Sequence, residues 1–166
     1  KEMGYMYVDT GAIYRTVAYF MDLLGVSPKD IDGINRYIDE LTIGIEYDDR
    51  IYISALENQK TTISRVKPDF VLTKAEEYEV PMDVNRCYFF NPFSVEILRK
   101  VMARIIESYY GDPREILLFF YYPTDEYIGY LMTVDELEFY DEIDCTDLFE
   151  GNDRRERIMI FRLPMM

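Results

Sequence analysis

Seven consecutive apolar residues, Ile116-Leu117-Leu118-Phe119-Phe120-Tyr121-Tyr122, stopped by Pro123, constrain this chain more than any other stretch. Successive side chains of a strand point to opposite faces, so a strand that is apolar throughout has to be covered on both sides. Such strands belong to parallel or mixed sheets flanked by helices. The rest of the C-terminal sequence fits that demand. Short strand patterns stand at Thr42 to Glu46, at Asp69-Phe70-Val71-Leu72 and at Arg86-Cys87-Tyr88-Phe89-Phe90. Helical spacing follows most of them. It covers Asp48 to Lys60, with Ile51, Ala55 and Leu56 inward. It also covers a long stretch from a Ser94 cap through Tyr110, closed by Gly111-Asp112-Pro113, and a shorter one capped by Thr124 or Asp125 and running to about Met132. The acidic stretch Glu76 to Asp83 reads as a loop. Two final strand patterns, Phe139 to Ile143 and Arg157 to Leu163, have no helix between them.

The N-terminal part repeats the alternation. Tyr5 to Val8 reads as a strand, Asp9-Thr10-Gly11 as a turn, and Ala12 to Leu24 as a helix with Ile13, Val17, Phe20, Met21 and Leu24 on one face. Gly25 closes that helix, and Ser27-Pro28 opens another that carries Ile31, Ile34, Ile38 and Leu41. The expectation is a single α/β domain over residues 1–166, with one segment at 1–41 and a second at 42–166. Its architecture would be three-layer and doubly wound, a mostly parallel sheet with an antiparallel C-terminal edge strand.

Composition narrows the chemistry. The formal net charge is −14, from 32 acidic and 18 basic residues. That field repels a phosphate backbone unless a basic patch overrides it. Arg154, Arg155 and Arg157 form no such patch, because Asp153 and Glu156 are interleaved with them. Bulk nucleic acid and an anionic membrane surface are therefore poor partners, and a small-molecule substrate is the expectation. There is no histidine, so the usual neutral-pH base and the commonest metal ligand are missing. Cys87 and Cys145 are too far apart in sequence for a Cys-x-x-Cys motif, so no metal site is expected. Cys87 reads as a buried free thiol, in keeping with a reducing cytoplasm. No apolar run reaches the ~18–20 residues of a membrane-spanning helix. No signal-peptide pattern opens the chain, and a start at Lys1 suggests that the true beginning lies upstream.

In doubly wound sheets ligands bind beyond the carboxyl ends of the strands. The residues standing there are Asp9-Thr10-Gly11, Glu46, Ala75-Glu76, Asn91-Pro92-Phe93 and Tyr122-Pro123. Glu46 is either an acid that accepts both hydroxyls of a ribose or a solvated strand-end charge. Glu76 is either a receiver for an adenine amino group or a plain loop charge. Asn91 offers an amide donor and a carbonyl acceptor, Pro92 a fixed turn, and Phe93 a flat face. The same three residues also suit a plain strand-terminating turn. Tyr121 and Tyr122 could wall a pocket or serve packing.

Two family resemblances rest on these residues. From about Thr42 to Leu163 the chain resembles class I S-adenosylmethionine-dependent methyltransferases without their opening unit. Ile45-Glu46-Tyr47-Asp48, with Ala55 and Asn58, is similar to the second strand and helix of that fold. Lys74-Ala75-Glu76 is similar to its third strand end, Phe89-Phe90-Asn91-Pro92-Phe93 to its fourth-strand motif, and the last strand pair to its ending. The resemblance implies a Rossmann-like sheet and S-adenosylmethionine as cofactor, held by Glu46 and Glu76, with Asn91, Pro92 and Phe93 at the acceptor. Where that family has a glycine-rich loop, this chain has Asp9-Thr10-Gly11-Ala12, so Asp9 and Gly11 would take the loop's place. The amino-group methylases of the family carry two prolines in the fourth-strand motif, and here one is missing.

Residues 4 to 41, around Tyr7-Val8-Asp9-Thr10-Gly11-Ala12-Ile13-Tyr14-Arg15, resemble the monophosphate-binding segment of cytidylate kinases. That resemblance implies nucleotide contacts at Asp9, Thr10, Gly11 and Arg15. The phosphate loop Gly-x-x-x-x-Gly-Lys-Ser/Thr of such kinases does not occur in the sequence. Three readings follow: a methyltransferase-like protein with impaired or absent activity, a cytidylate kinase fragment, and a chimeric or truncated fold that does not catalyse.

Overall fold

The computed structural model describes residues 43–61, 69–146 and 153–165. The chain divides into two units, Lys1–Thr42 and Ile43–Met166, and the second contains every described residue. The expected elements at Tyr5 to Val8 and Ala12 to Leu41 lie outside the described residues.

In chain order the second unit runs β1 (Ile43–Glu46), α1 (Asp49–Thr61), β2 (Asp69–Leu72), a 3₁₀ turn (Ala75–Glu77), β3 (Arg86–Phe90), α2 (Val95–Gly111), β4 (Ile116–Tyr121), α3 (Asp125–Leu131), β5 (Glu138–Asp144) and β6 (Arg157–Leu163). The unit is α/β, but its strands form two sheets. β1 and β2 pair in parallel. The second sheet has the order β3-β4-β6-β5. In it β3 and β4 are parallel, while β6 is antiparallel to both β4 and β5.

This corrects the expectation of one mostly parallel sheet with an antiparallel strand at its edge. The antiparallel strand is interior, and β5 is the edge. The side chains give the reason. β6 carries Ile158, Met159, Ile160, Phe161 and Leu163, all buried, and a strand like that needs neighbours on both sides. β5 carries Glu138, Asp141, Glu142 and Asp144, and its register shifts between Phe139 and Asp141. Charge and a bulge are the features that keep an edge strand from recruiting further strands. The ion pairs Arg162–Glu138 at 2.6 Å and Arg157–Glu142 at 3.1 Å tie the edge to β6.

β4 is the centre of the core. All six of its residues are buried. One face of the sheet presents Phe89, Ile116, Leu118, Phe120, Met159, Phe161 and Leu163 to a single cluster with helix residues. α2 supplies Leu98, Val101, Met102, Ile105 and Tyr109 at helical spacing, and α3 supplies Tyr127 and Leu131. Phe89 and Phe120 stack at 4.7 Å, and Phe161 meets Phe120 edge-on at 6.0 Å. Leu117, Phe119, Tyr121, Ile158 and Ile160, on the opposite face, are buried as well.

The C-terminal end of α2 is fastened by one side chain. Arg114 donates to five acceptors: Val84 O, Ser108 O, Ser108 Oγ, Asp112 O and Pro81 O, at 2.7 to 3.2 Å. No carboxylate among the described residues pairs with it. A cation suits the carbonyl end of a helix, and the planar fork reaches two chain segments at once. In the two-stranded sheet the Phe70 ring lies directly over Gly44, where a Cβ would come within 2.6 Å of Phe70 Cδ1. Of the cysteines, Cys145 is fully buried and Cys87 half-buried. Burial pushes the Cys87 thiol up to about 12, with Arg114 and Arg86 pulling it back.

Arg114→Ala leaves several carbonyls of the 81–84 loop and α2 without a donor. It should cost about 2 kcal/mol in urea unfolding, and Arg114→Lys should recover little, since an ammonium cannot reproduce the fork. A lysine variant as stable as the parent would show that only the charge matters.

Candidate functional site

β3 and β4 end at the same level. Phe90 pairs with Tyr121 in the parallel register, and each strand is followed by a residue with positive φ. These are Asn91 at φ 38° and Tyr122 at φ 54°, the two such non-glycine residues among those described. The left-handed region costs an L-residue roughly 1–2 kcal/mol, although Asn tolerates it better than most. Asn91 is thus accounted for by its backbone alone, while Tyr122 is not. The turn at Tyr122 also corrects the expected strand end, because β4 stops at Tyr121.

Tyr122 is held from several directions. Its N–H donates to Arg157 O at 3.0 Å, and its hydroxyl donates to Asp153 Oδ2. The Arg155 guanidinium lies over its ring at 4.7 Å and also grips Asp153 through Nε at 3.1 Å and Nη2 at 2.8 Å. Arg155, and after it the Tyr122 hydroxyl, hold the Asp153 carboxyl well below the usual carboxylate range. The hydrogen bond to Asp153 in turn raises the Tyr122 phenol. Tyr121, one residue earlier, is buried and donates to Glu156 Oε2. The segment before β6, whose charges looked merely interleaved in the sequence, thus braces the end of β4.

Across from this cluster stands the turn after β3. Asn91 and Pro92 are exposed, and Phe93 is half-buried against Phe89 at 6.2 Å with its ring nearly perpendicular. Phe90 is 39% exposed and meets the Tyr121 ring at 5.0 Å. The structure therefore brings Asn91, Pro92, Phe93, Tyr121 and Tyr122 together at one end of the sheet. Tyr127 of α3 ties in this turn, since its hydroxyl accepts from Phe93 N at 3.3 Å and donates to Phe93 O. The sequence reading missed Tyr127. The available signal was an aromatic with a polar tip three residues after a helix cap, a position whose phenol needs a partner once buried.

Glu46 ends β1 as expected. Its Oε1 accepts from the N–H groups of Tyr47 and Asp48 at 2.8 and 2.9 Å. Its Oε2 has no partner among the described residues. Asp48 caps α1 by accepting from Arg50 N at 2.9 Å, and its pairing with the Arg50 side chain lowers its carboxyl to about 2. Glu76 sits in the 3₁₀ turn after β2, and its backbone carbonyl accepts from Arg104 Nε of α2 at 3.4 Å. No hydrogen bond or ion pair joins Glu46 or Glu76 to the 91–93 turn. Asp9, Thr10, Gly11 and Arg15 lie outside the described residues.

Two surface depressions lie elsewhere. One of about 330 Å³, lined by Tyr109, Tyr110, Asp135, Glu136, Glu138 and Pro164, sits by the amino end of β4. Another of about 220 Å³ lies between Glu79, Met82, Arg104 and Glu107. Both are open. In the first, Glu136 is bonded to Tyr110 and Glu138 to Arg162. The strand ends are the better candidate, because they combine exposed polar and aromatic groups with a rigid, strained backbone. Among the described residues no group of acids and cysteines is arranged to hold a metal ion, and no helix is long and apolar enough to cross a membrane.

Part of the chain is similar in sequence to cytidylate kinases. A stretch of 54 residues is 30% identical to the cytidylate kinase of Clostridium tetani, covering 32% of this chain and 24% of that protein. A stretch of 94 residues is 29% identical to the cytidylate kinase of an Exiguobacterium species, covering 52% of this chain and 41% of that protein. The chain thus spans less than half the length of these relatives. No protein-family model and no solved structure matches it.

Two tests address the bracing of the strand ends. Asn91→Gly should leave stability at or above that of the parent, whereas Asn91→Ala should cost about 1 kcal/mol, because alanine lacks asparagine's tolerance of positive φ. Equal effects in urea unfolding would remove the backbone argument. Asp153→Asn should lower stability at neutral pH. Because the folded carboxyl titrates below its unfolded value of about 3.9, the deficit should persist above that pH and shrink as the pH falls further. Unfolding curves between pH 7 and pH 2 show this directly, and a deficit independent of pH would contradict it.

Proposed function

We propose that residues 43–166 form a small-molecule-binding module of the class I S-adenosylmethionine-dependent methyltransferase type, with its acceptor side at the ends of β3 and β4. The observation that carries the reading is the pair of left-handed residues, Asn91 and Tyr122, side by side where two parallel strands end. Strain of this kind persists where the surroundings over-determine it, and it clusters at ligand sites. An antiparallel last strand and an acid at the end of β1 also agree with that resemblance.

On the cofactor side stands Glu46. Its Oε2 is open while Oε1 is fixed by two backbone N–H groups, so the carboxylate is oriented and still able to accept from a ribose hydroxyl. Glu76 would stand on the adenine side. The cofactor would supply a methyl group already activated by its sulfonium charge. The protein's share would then be orientation, which needs no histidine. Asn91 would offer its amide to the acceptor, and Phe90 and Phe93 their ring faces.

A second reading is favoured by the two partial sequence matches. In it the N-terminal segment binds a nucleoside monophosphate through Asp9, Thr10, Gly11 and Arg15. Kinase activity would need the phosphate loop as well.

Thermal unfolding with S-adenosylhomocysteine and, separately, with CMP distinguishes the two. A ligand at a hundredfold excess over its Kd stabilises by about 2.7 kcal/mol. The methyltransferase reading expects a rise in Tm with S-adenosylhomocysteine that Glu46→Ala abolishes. A rise with CMP alone assigns binding to the N-terminal segment. No rise with either, on folded protein, leaves a fold without these ligands.

A further inference from the structure

We infer that Tyr127 is the positioning residue of this site, fixing the 91–93 turn against the end of β4; its effect on ligand rests on the methyltransferase reading. Three observations meet in one side chain. Tyr127 is 2% exposed, and its ring stands edge-on to Phe120 of β4 at 6.3 Å, so the ring belongs to the core. Its hydroxyl spends both its donor and its acceptor capacity on one residue, Phe93, through the carbonyl and the N–H. Its own N–H donates to Thr124 Oγ1 at 3.2 Å, which locks it into the first turn of α3, directly after Tyr122 and Pro123.

The consequence is geometric. Among the described residues, no other side chain bonds to the backbone of residues 91–93. Asn91 is exposed and Pro92 lacks an N–H, so besides the Phe93 ring packed on Phe89 the turn's other side-chain anchor is this phenol. Through Tyr127 its position is referred to β4 and to the start of α3, the same element that continues from the strained Tyr122. The β3–β4 ladder sets Asn91 beside Tyr122, and the buried phenol adds a tie from Phe93, two residues after Asn91, to α3, the helix that follows Tyr122. Sites need supports of this sort, because small misplacements of a contact group cost affinity out of proportion to their size.

Tyr127→Phe keeps the ring and removes only the hydroxyl. It would be compared with Ile105→Val, a mildly destabilising core variant in the C-terminal half of α2. Both are measured well below their melting temperatures. The inference expects Tyr127→Phe to weaken S-adenosylhomocysteine binding roughly tenfold or more, while Ile105→Val binds like the parent. It also expects the Phe93 amide to exchange with solvent at least about tenfold faster in Tyr127→Phe only, since that amide loses its acceptor. Unchanged affinity and unchanged Phe93 exchange in Tyr127→Phe overturn the inference. So do equal losses in both variants, which would mark Tyr127 as an ordinary core residue. If the parent itself binds no S-adenosylhomocysteine, the methyltransferase reading falls. The Phe93 exchange then still decides the positioning role, because it needs no ligand.

Discussion

Burial of β4 on both faces is the constraint on which the rest of the second unit depends. Six consecutive buried large side chains require a neighbour strand on each edge and cover above and below. β3 meets the requirement on one edge and β6 on the other, and α2 and α3 pack on one face through their Leu, Ile, Met and Tyr residues. A charge or a cavity in β4 would be felt in every one of these elements, because interiors are packed to crystal density. The same rigidity is transmitted to the strand's carboxyl end, where the candidate site stands.

That end is assembled from pieces distant in sequence. Tyr127 comes from the helix after β4, Asp153, Arg155 and Glu156 from the segment before β6, and Asn91 to Phe93 from the turn after β3. Antiparallel insertion of β6 is what delivers the acidic and basic groups there, because the start of β6 lies beside the end of β4, with Tyr121 opposite Ile158. Had β6 run parallel, its preceding segment would have emerged at the opposite end of the sheet. The interior position of β6 therefore matters for the site as well as for the core.

Most element boundaries were legible in the sequence because they are set locally. Pro123 stops β4, Ser94 stands at the start of α2, Thr124 caps α3, and the 3.6-residue spacing of Leu98, Val101, Met102, Ile105 and Tyr109 marks the buried face of α2. Strand order was less legible, since it follows from which strands best share burial. The contrast between apolar Ile158 to Phe161 and acidic β5 was present in the sequence, yet the absence of a connecting helix drew the last strand to the edge. Asn91, Pro92 and Phe93 stood out by their place after a strand. Tyr127 and Asp153 were not, because each acts through a partner about thirty residues away. The turn at Tyr122 carries no local signal, since tyrosine is a poor choice for positive φ and is held there only by tertiary contacts.

The proposed ligand site is the ends of β3 and β4, and not the open depression beside Tyr109, Tyr110 and Pro164. Amide chemical shifts recorded during a titration with S-adenosylhomocysteine test this most directly. The largest changes should fall at Phe90 to Ser94 and Tyr121 to Tyr127. Changes concentrated at Tyr109, Tyr110, Asp135 and Glu136, with the strand ends silent, would contradict it.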